Sequence, residues 1–305
     1  MSWYAVETLR RAYAETRGLL LPVRTGVWLR FALLAVFAGG TPLRPPGVGI
    51  AVLPLNGVGL PTTAVSPLSP RVRGLLAFAL VLVLVLGLLA SVFEFVLVDV
   101  AEARGDALAP SVVAHLGDGL RLLGFRLCLG ALVVVPLGAL VAGALIATRG
   151  GSAVGLLLAV VGVLVVGALG VGALVASALT TSFVVPLMAR GEGGVRDGWR
   201  TLWPALVAAP GEFGVYLLVR ACLGVAYVVA GSVVAGAFAL PFALAYGATV
   251  LGGRVATFAG FIAVALAALG TVCYLVFLRG PATAYLRYHS LLVLDRLDAP
   301  YAFPT

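Results

Sequence analysis

From residue 150 to residue 189 the chain carries no charged side chain, and most of those forty positions are Val, Leu, Ala or Gly. As one straight helix the run would measure about 60 Å at 1.5 Å per residue, whereas the hydrocarbon core of a bilayer is about 30 Å thick. Water cannot solvate such a surface. The run therefore reads as one tilted span over roughly residues 152–177, continued toward the membrane interface through "TTSFVVPLMA".

Other runs repeat the message. Residues 127–148 lie between Arg126 and Arg149, residues 255–278 lie between Arg254 and Arg279, and residues 74–98 are interrupted only by Glu94 near their end. Residues 221–253 are too long for one flat crossing, so Pro241 with Gly252 and Gly253 predicts a span ending near Leu240 and an apolar outer loop after it. The first span is "TGVWLRFALLAVFAGG", admissible because an arginine near a helix end, here Arg30, extends its stem and reaches the headgroups. Six transmembrane helices result. With 62% hydrophobic and 10% charged residues, against about 25% charged in soluble domains, the fold class is all-α membrane.

All twenty basic residues are arginine, and the formal charge is +8. They are scattered, without a basic run or a recognisable nucleic-acid module, so nucleic acid is excluded as the partner. Topology explains them better. With the N-terminus inside, fifteen arginines fall on inner segments and five, Arg44, Arg71, Arg73, Arg149 and Arg254, fall outside. Trp3, Trp28, Trp199 and Trp203 sit at the same inner boundary. Both termini are expected in the cytoplasm, with the chain in the plasma membrane and its inner face against anionic headgroups. The first eighteen residues lack the apolar core of a secretory signal, so no cleavage is expected.

"RLCLG" at Arg126 and "RACLG" at Arg220 are 94 positions apart, and the flanking stretches align without gaps over 112–130 and 206–224. A weaker third copy surrounds Arg30 in "WLRFALLAVFAGG". The chain thus reads as a single membrane domain of three units, about 1–98, 99–189 and 190–305, each an amphipathic interfacial helix followed by a helical hairpin. Trp3, Val6, Leu9, Tyr13 and Leu20 form the expected apolar face of the first such helix. Val112, Leu116, Leu120 and Leu123 form that of the second, and Val195, Trp199, Leu202 and Leu206 that of the third. A short amphipathic piece, "YLRYHSLLVLDRLD", closes the chain, and a loop with seven prolines, about 40–73, joins the first two spans outside.

The opening "AVETLRRAYAETRGLLLPVRTGVWLRFALLAVFAGG", the absence of lysine, and the exits "FEFVLVDV" and "SFVVPLMARG" resemble an uncharacterised family of haloarchaeal integral membrane proteins. That family is similar in plan to the membrane domain of some glycerophosphodiester phosphodiesterases. The resemblance implies a multi-pass membrane protein; the catalytic domain has no counterpart here, and no enzymatic activity carries over.

Candidate site residues are few. Arg30, Arg126 and Arg220 open the odd-numbered spans and read first as anchors at the inner headgroups; the sharper reading has them converge on an anion or a phospholipid headgroup. Glu94, an acid at membrane depth, reads as one partner of a buried ion pair with Arg126 or Arg30, and otherwise as a proton or cation relay. His115 and His289 read as surface residues of inner segments rather than zinc ligands. Cys128, Cys222 and Cys273 lie in apolar stretches as inert thiols. Gly155, Gly162, Gly167, Gly170 and Gly172 read as helix packing inside the bundle, with a homo-oligomer interface as the alternative. Thr180, Thr181 and Ser182 are expected to bond back within their helix. No metal, cofactor or nucleophile motif is present, so a non-enzymatic subunit that organises or binds membrane partners is expected, and a transporter subunit for a small or anionic solute or lipid stands second.

Overall fold

A computed structural model describes residues 4–22, 25–37, 70–102, 112–150, 153–191, 193–248 and 253–296. Among these residues there is helix and no strand. In order the helices are α1 (Tyr4–Leu20), α2 (Thr25–Phe37), α3 (Pro70–Glu102), α4 (Leu116–Gly150) and α5 (Ala153–Leu179). A π-helical turn, Thr180–Val184, leads into α6 (Val185–Arg190), followed by α7 (Val195–Ala208), α8 (Pro210–Ala248) and α9 (Gly253–Cys273). A second π-helical turn, Tyr274–Arg279, leads into α10 (Gly280–Arg296). Valine-rich α5 would be a poor helix in water. In hydrocarbon a backbone must satisfy its own polar groups, and that requirement overrides propensity.

Five helical stretches are long and apolar enough to cross a membrane: Pro70–Glu102, Leu116–Ala144, Leu157–Arg190, Pro210–Ala248 and Gly253–Arg296. The expected sixth, α2, is apolar but has 13 residues, about 20 Å of helix. Residues 38–40, which complete that expected span, lie outside the described residues, as does the proline-rich loop up to residue 69.

Several local expectations are corrected. Pro241 does not end its span: α8 continues through it to Ala248, as α4 continues through Pro136, because membrane helices tolerate proline where neighbours re-satisfy the freed carbonyls. α3 already begins at Pro70, so residues 70–73 belong to helix and not to the loop. The second interfacial helix has no separate existence: residues 112–115 are turn, and α4 runs unbroken from Leu116 into the span. Its close fit comes from Gly119, where a Cβ would stand 2.4 Å from Val92 Cγ2 on α3.

α1 buries a different face from the expected one. Ala5, Thr8, Ala12, Thr16 and Leu20 are buried, at spacings of three and four, whereas Val6 and Tyr13 are exposed. Small side chains let α1 lie close on α10, while its bulky Val6 and Tyr13 point away from the chain. α10 departs further from expectation. Eight successive residues from Arg287 to Leu294 are buried, so the closing segment is a central helix with no solvent face.

The core lies at one end of the molecule. α1, α6, α7 and α10 pack there against the ends of the long helices, in clusters joining Phe95 and Val98 of α3, Leu122 of α4, Phe183 to Met188, Phe213 and Tyr216 of α8, and Val293 and Leu294 of α10. Beyond this layer the spans stand with most of their surface uncovered. In α5 no described residue before Leu179 is buried.

Candidate functional site

The packed end surrounds a group of charges. Glu94 sits on the buried face of α3 and is 1% exposed. Its Oε2 accepts from Arg287 Nη2 at 2.5 Å and its Oε1 accepts from Arg126 Nη2 at 3.3 Å. One carboxylate thus ties α3 to α4 and α10. Arg126 Nη1 also donates to Ser91 Oγ at 3.3 Å, one turn before Glu94 on the same helix.

Arg287 is 5% exposed and finds its second acceptor in a backbone defect. In the first π-helical turn the Val185 N–H donates to Thr180 O, five residues back. The residue that would serve the Thr181 carbonyl in the same pattern is Pro186, which has no N–H. That carbonyl accepts from Arg287 Nη1 at 2.8 Å. "TTSFVVPLMARG" therefore makes an acceptor by removing a donor.

Arg220 lies on the same side of α8 as Tyr216, one turn earlier. Its Nη1 donates to Ser182 Oγ at 2.9 Å and to Tyr216 Oη at 3.2 Å. Among the described residues no carboxylate pairs with it. Glu94, Thr181, Ser182, Arg220, Thr283, Arg287 and Ser290 line a half-enclosed cavity of about 20 Å³. That is room for one or two waters.

The surroundings are fixed by further bonds between elements. His115 Nε2 meets Asp99 Oδ2 at 2.6 Å, and Arg190 Nε donates to Glu102 Oε1 at 2.9 Å, so both neighbours of α3 are pinned near its end. The Tyr4 N–H donates to Glu212 Oε2 at 3.0 Å, fixing α1 to α8. Trp199 Nε1 donates to Thr180 Oγ1 at 3.1 Å, which brings α7 against the π-helical turn. Tyr227 and Tyr274 meet hydroxyl to hydroxyl between α8 and the second π-helical turn.

Of the three repeat arginines, Arg126 and Arg220 stand in this cluster. Arg30 does not: it is exposed, and no described acid pairs with it. The expectation that His289 is a surface residue is wrong. It is fully buried, its Nε2 2.8 Å from Ala5 O, with Tyr216 and Tyr285 stacked at ring distances of 5.4 and 6.3 Å. Thr180 bonds back to Ala176 O as expected, while Ser182 instead serves Arg220 and Thr181 gives up its carbonyl. Gly162 packs against Leu140, but a Cβ at Gly167, Gly170 or Gly172 would meet nothing within 4 Å, so these three do not serve packing inside this chain.

Arg287 is the residue that sequence reasoning missed. Its signal was present: Thr283, Arg287 and Ser290 recur at helical spacing on one face of α10, in and just before the segment read as a short amphipathic piece. Among the described residues no group of three His, Cys, Asp or Glu side chains is placed to hold a metal ion, and the three cysteines are free. No curated protein and no solved structure matches the chain. Residues 3–303 match the model of DUF7544, a family of unknown function, and the chain belongs to that family.

Proposed function

We propose that this chain is a non-enzymatic, multi-pass subunit of the plasma membrane that organises or binds other membrane components. The observation that carries this reading is the state of its polar groups. Among the described residues the one deeply buried acid, Glu94, is held between two guanidiniums, and the space beside it is about 20 Å³. A catalytic site needs a nucleophile or base free to meet a substrate, and a solute path needs a larger polar cavity. The closed cluster has the character of a fastening. The uncovered lengths of α4 and α5, with Gly167, Gly170 and Gly172 unoccupied, are the surfaces that such a subunit offers to a partner helix or to a second copy.

The positive-inside bias supports cytoplasmic termini, with the packed layer at the anionic inner leaflet. Support for the three-unit plan comes from register: α4 and α8 begin 94 positions apart, as do Arg126 and Arg220, and each of these arginines donates to a serine of the preceding long helix or its π-helical turn. The likeness in plan to a phosphodiesterase membrane domain fits a helical module that works without its own chemistry.

Two measurements test the reading. Extracted gently from its own membrane, the protein is expected in native mass spectrometry as a stoichiometric assembly, with itself or with a companion subunit. Reconstituted in vesicles, it is expected to leave solute leak unchanged. Solute-dependent flux, or a bare monomer under every mild extraction, overturns the proposal.

A further inference from the structure

We propose that the half-enclosed cavity between Arg220, Arg287 and the Thr181 and Ser182 hydroxyls is a binding site for one halide-sized anion. Charge is the first reason. Arg126, Arg220 and Arg287 surround one carboxylate, and Glu94 is taken by Arg126 and Arg287. Arg220, half-buried, therefore holds its charge against two neutral hydroxyl partners, and no described acid forms an ion pair with it. A charge drawn partly out of solvent without a counter-charge is costly, and a bound anion supplies one.

The second reason is the kind of hydrogen-bonding group left over. Two acceptors at the cavity, the Thr181 carbonyl and the Glu94 carboxylate, already receive Arg287. Thr283 and Ser290 spend their protons on Arg279 O and Arg287 O of their own helix. Ser182 Oγ accepts from Arg220, which leaves its proton to donate, and the Thr181 hydroxyl has no described partner. Thr181 and Ser182 are 5% and 1% exposed. Guanidinium fans carry five N–H donors each, and Arg220 uses one nitrogen. What remains to donate around the cavity is Arg220, Ser182 and Thr181, beside the hydroxyl oxygens of Thr283 and Ser290, which can only accept. Donors with surplus positive charge select an anion over a cation or a neutral solute.

Size selects among anions. A cavity of about 20 Å³ takes one or two waters, and a halide ion is close to water in size, whereas phosphate, sulfate and a lipid headgroup are larger.

The full chain in lipid nanodiscs, titrated with sodium chloride or bromide against sodium gluconate at constant ionic strength, tests this. A ligand that binds only the folded state raises the unfolding midpoint, so a saturable rise with halide is expected. R220Q is expected to lose that halide dependence, and T181V to weaken half-saturation about tenfold, the loss of one hydrogen bond to a charged group. R30Q, outside the cluster, is expected to respond as the parent does. In crystals grown in bromide, anomalous scattering is expected between Arg220 and Arg287. Should R220Q not fold, T181V and the bromide peak decide. The proposal is overturned by a midpoint that follows ionic strength alone, by phosphate stabilising as well as halide, or by a cavity that holds no bromide in crystals grown in it.

Discussion

α3 is one unbroken helix with two different lives. Its first fourteen residues, from Pro70, are exposed on every side, whereas Ser91, Val92 and the run Glu94–Val98 are buried. The same contrast divides the molecule: no described residue of α5 before Leu179 is buried, and the six residues that follow, Thr180–Val185, are all buried. Composition does not separate the two regions, since both are mostly Val, Leu, Ala and Phe. What separates them is solvent. In hydrocarbon an apolar side chain gains almost nothing by leaving lipid for protein, so the outer lengths have no drive to gather beyond their hairpin mates. At the other end short helices, ion pairs and aromatic contacts hold the ends of the long ones together. The polar residues there decide how the helices are arranged, and the apolar lengths decide only where they can be.

The largest test of that contrast is to remove its central acid. Glu94→Ala leaves Arg287 buried with its charge uncompensated, and such a change costs about 3–5 kcal/mol. Unfolding in nanodiscs, followed by hydrogen exchange at α1 and α10, is expected to show the packed end opening while the outer hairpins keep their protection. A loss below about 1 kcal/mol would mean that apolar contacts alone organise this end.

Glycine offers a sharper comparison, because one residue type occurs in both regions. At Gly119 a Cβ would stand 2.4 Å from Val92 Cγ2 and 3.1 Å from Val92 N, so α3 and α4 would have to separate. Gly119→Val is expected to cost about 1–3 kcal/mol or more, as overpacking does. Gly170→Val, in open space on α5, is expected to change stability by less than about 0.5 kcal/mol. Equal losses at the two positions would contradict the division into a packed and an unpacked region.

Much of the fastened region escaped the sequence for a physical reason. Span positions were legible because hydrocarbon demands a length of apolar residues, and any sequence that supplies it reads the same way. Burial was not, because periodicity reports which face is apolar and says nothing of which face meets protein. On α1 the apolar face Val6, Leu9 and Tyr13 looked like the core face, yet Ala5, Thr8 and Ala12 pack, since smallness and not hydrophobicity governs close approach here. Arg126 and Arg220 were found through repetition, and Glu94 through depth. Arg287 is neither repeated nor inside an apolar run, so only the tertiary fold brings it to Glu94. Pro186 carries no signal of its own in the sequence, and its effect, freeing one carbonyl for Arg287, needs the π-helical turn to be visible.

Pro186→Ala isolates that effect. A new N–H at position 186 competes for the Thr181 carbonyl that now receives Arg287. The fold should survive with a loss of about 1 kcal/mol, the net worth of one hydrogen bond. Combined with Arg287→Gln, which already weakens the same bond, the change is expected to add less than its single value, and full additivity in the double-mutant cycle would disconnect the proline from the cluster.

The smallest expected effect belongs to the outer lengths. Leu164→Ala removes a large side chain that is 68% exposed in the middle of α5. In a water-soluble core the same truncation costs about 2–5 kcal/mol, because a cavity remains and apolar surface returns to water. Here lipid fills the space and the solvent stays apolar, so less than about 0.5 kcal/mol is expected in nanodiscs for the isolated chain. A partner helix seated on this face reverses the arithmetic, because the truncated side chain then leaves a hole between two proteins. The same substitution measured in the native assembly and in the isolated chain therefore separates lipid from protein as the neighbour of α5. A loss seen only in the assembly marks the face where the partner sits.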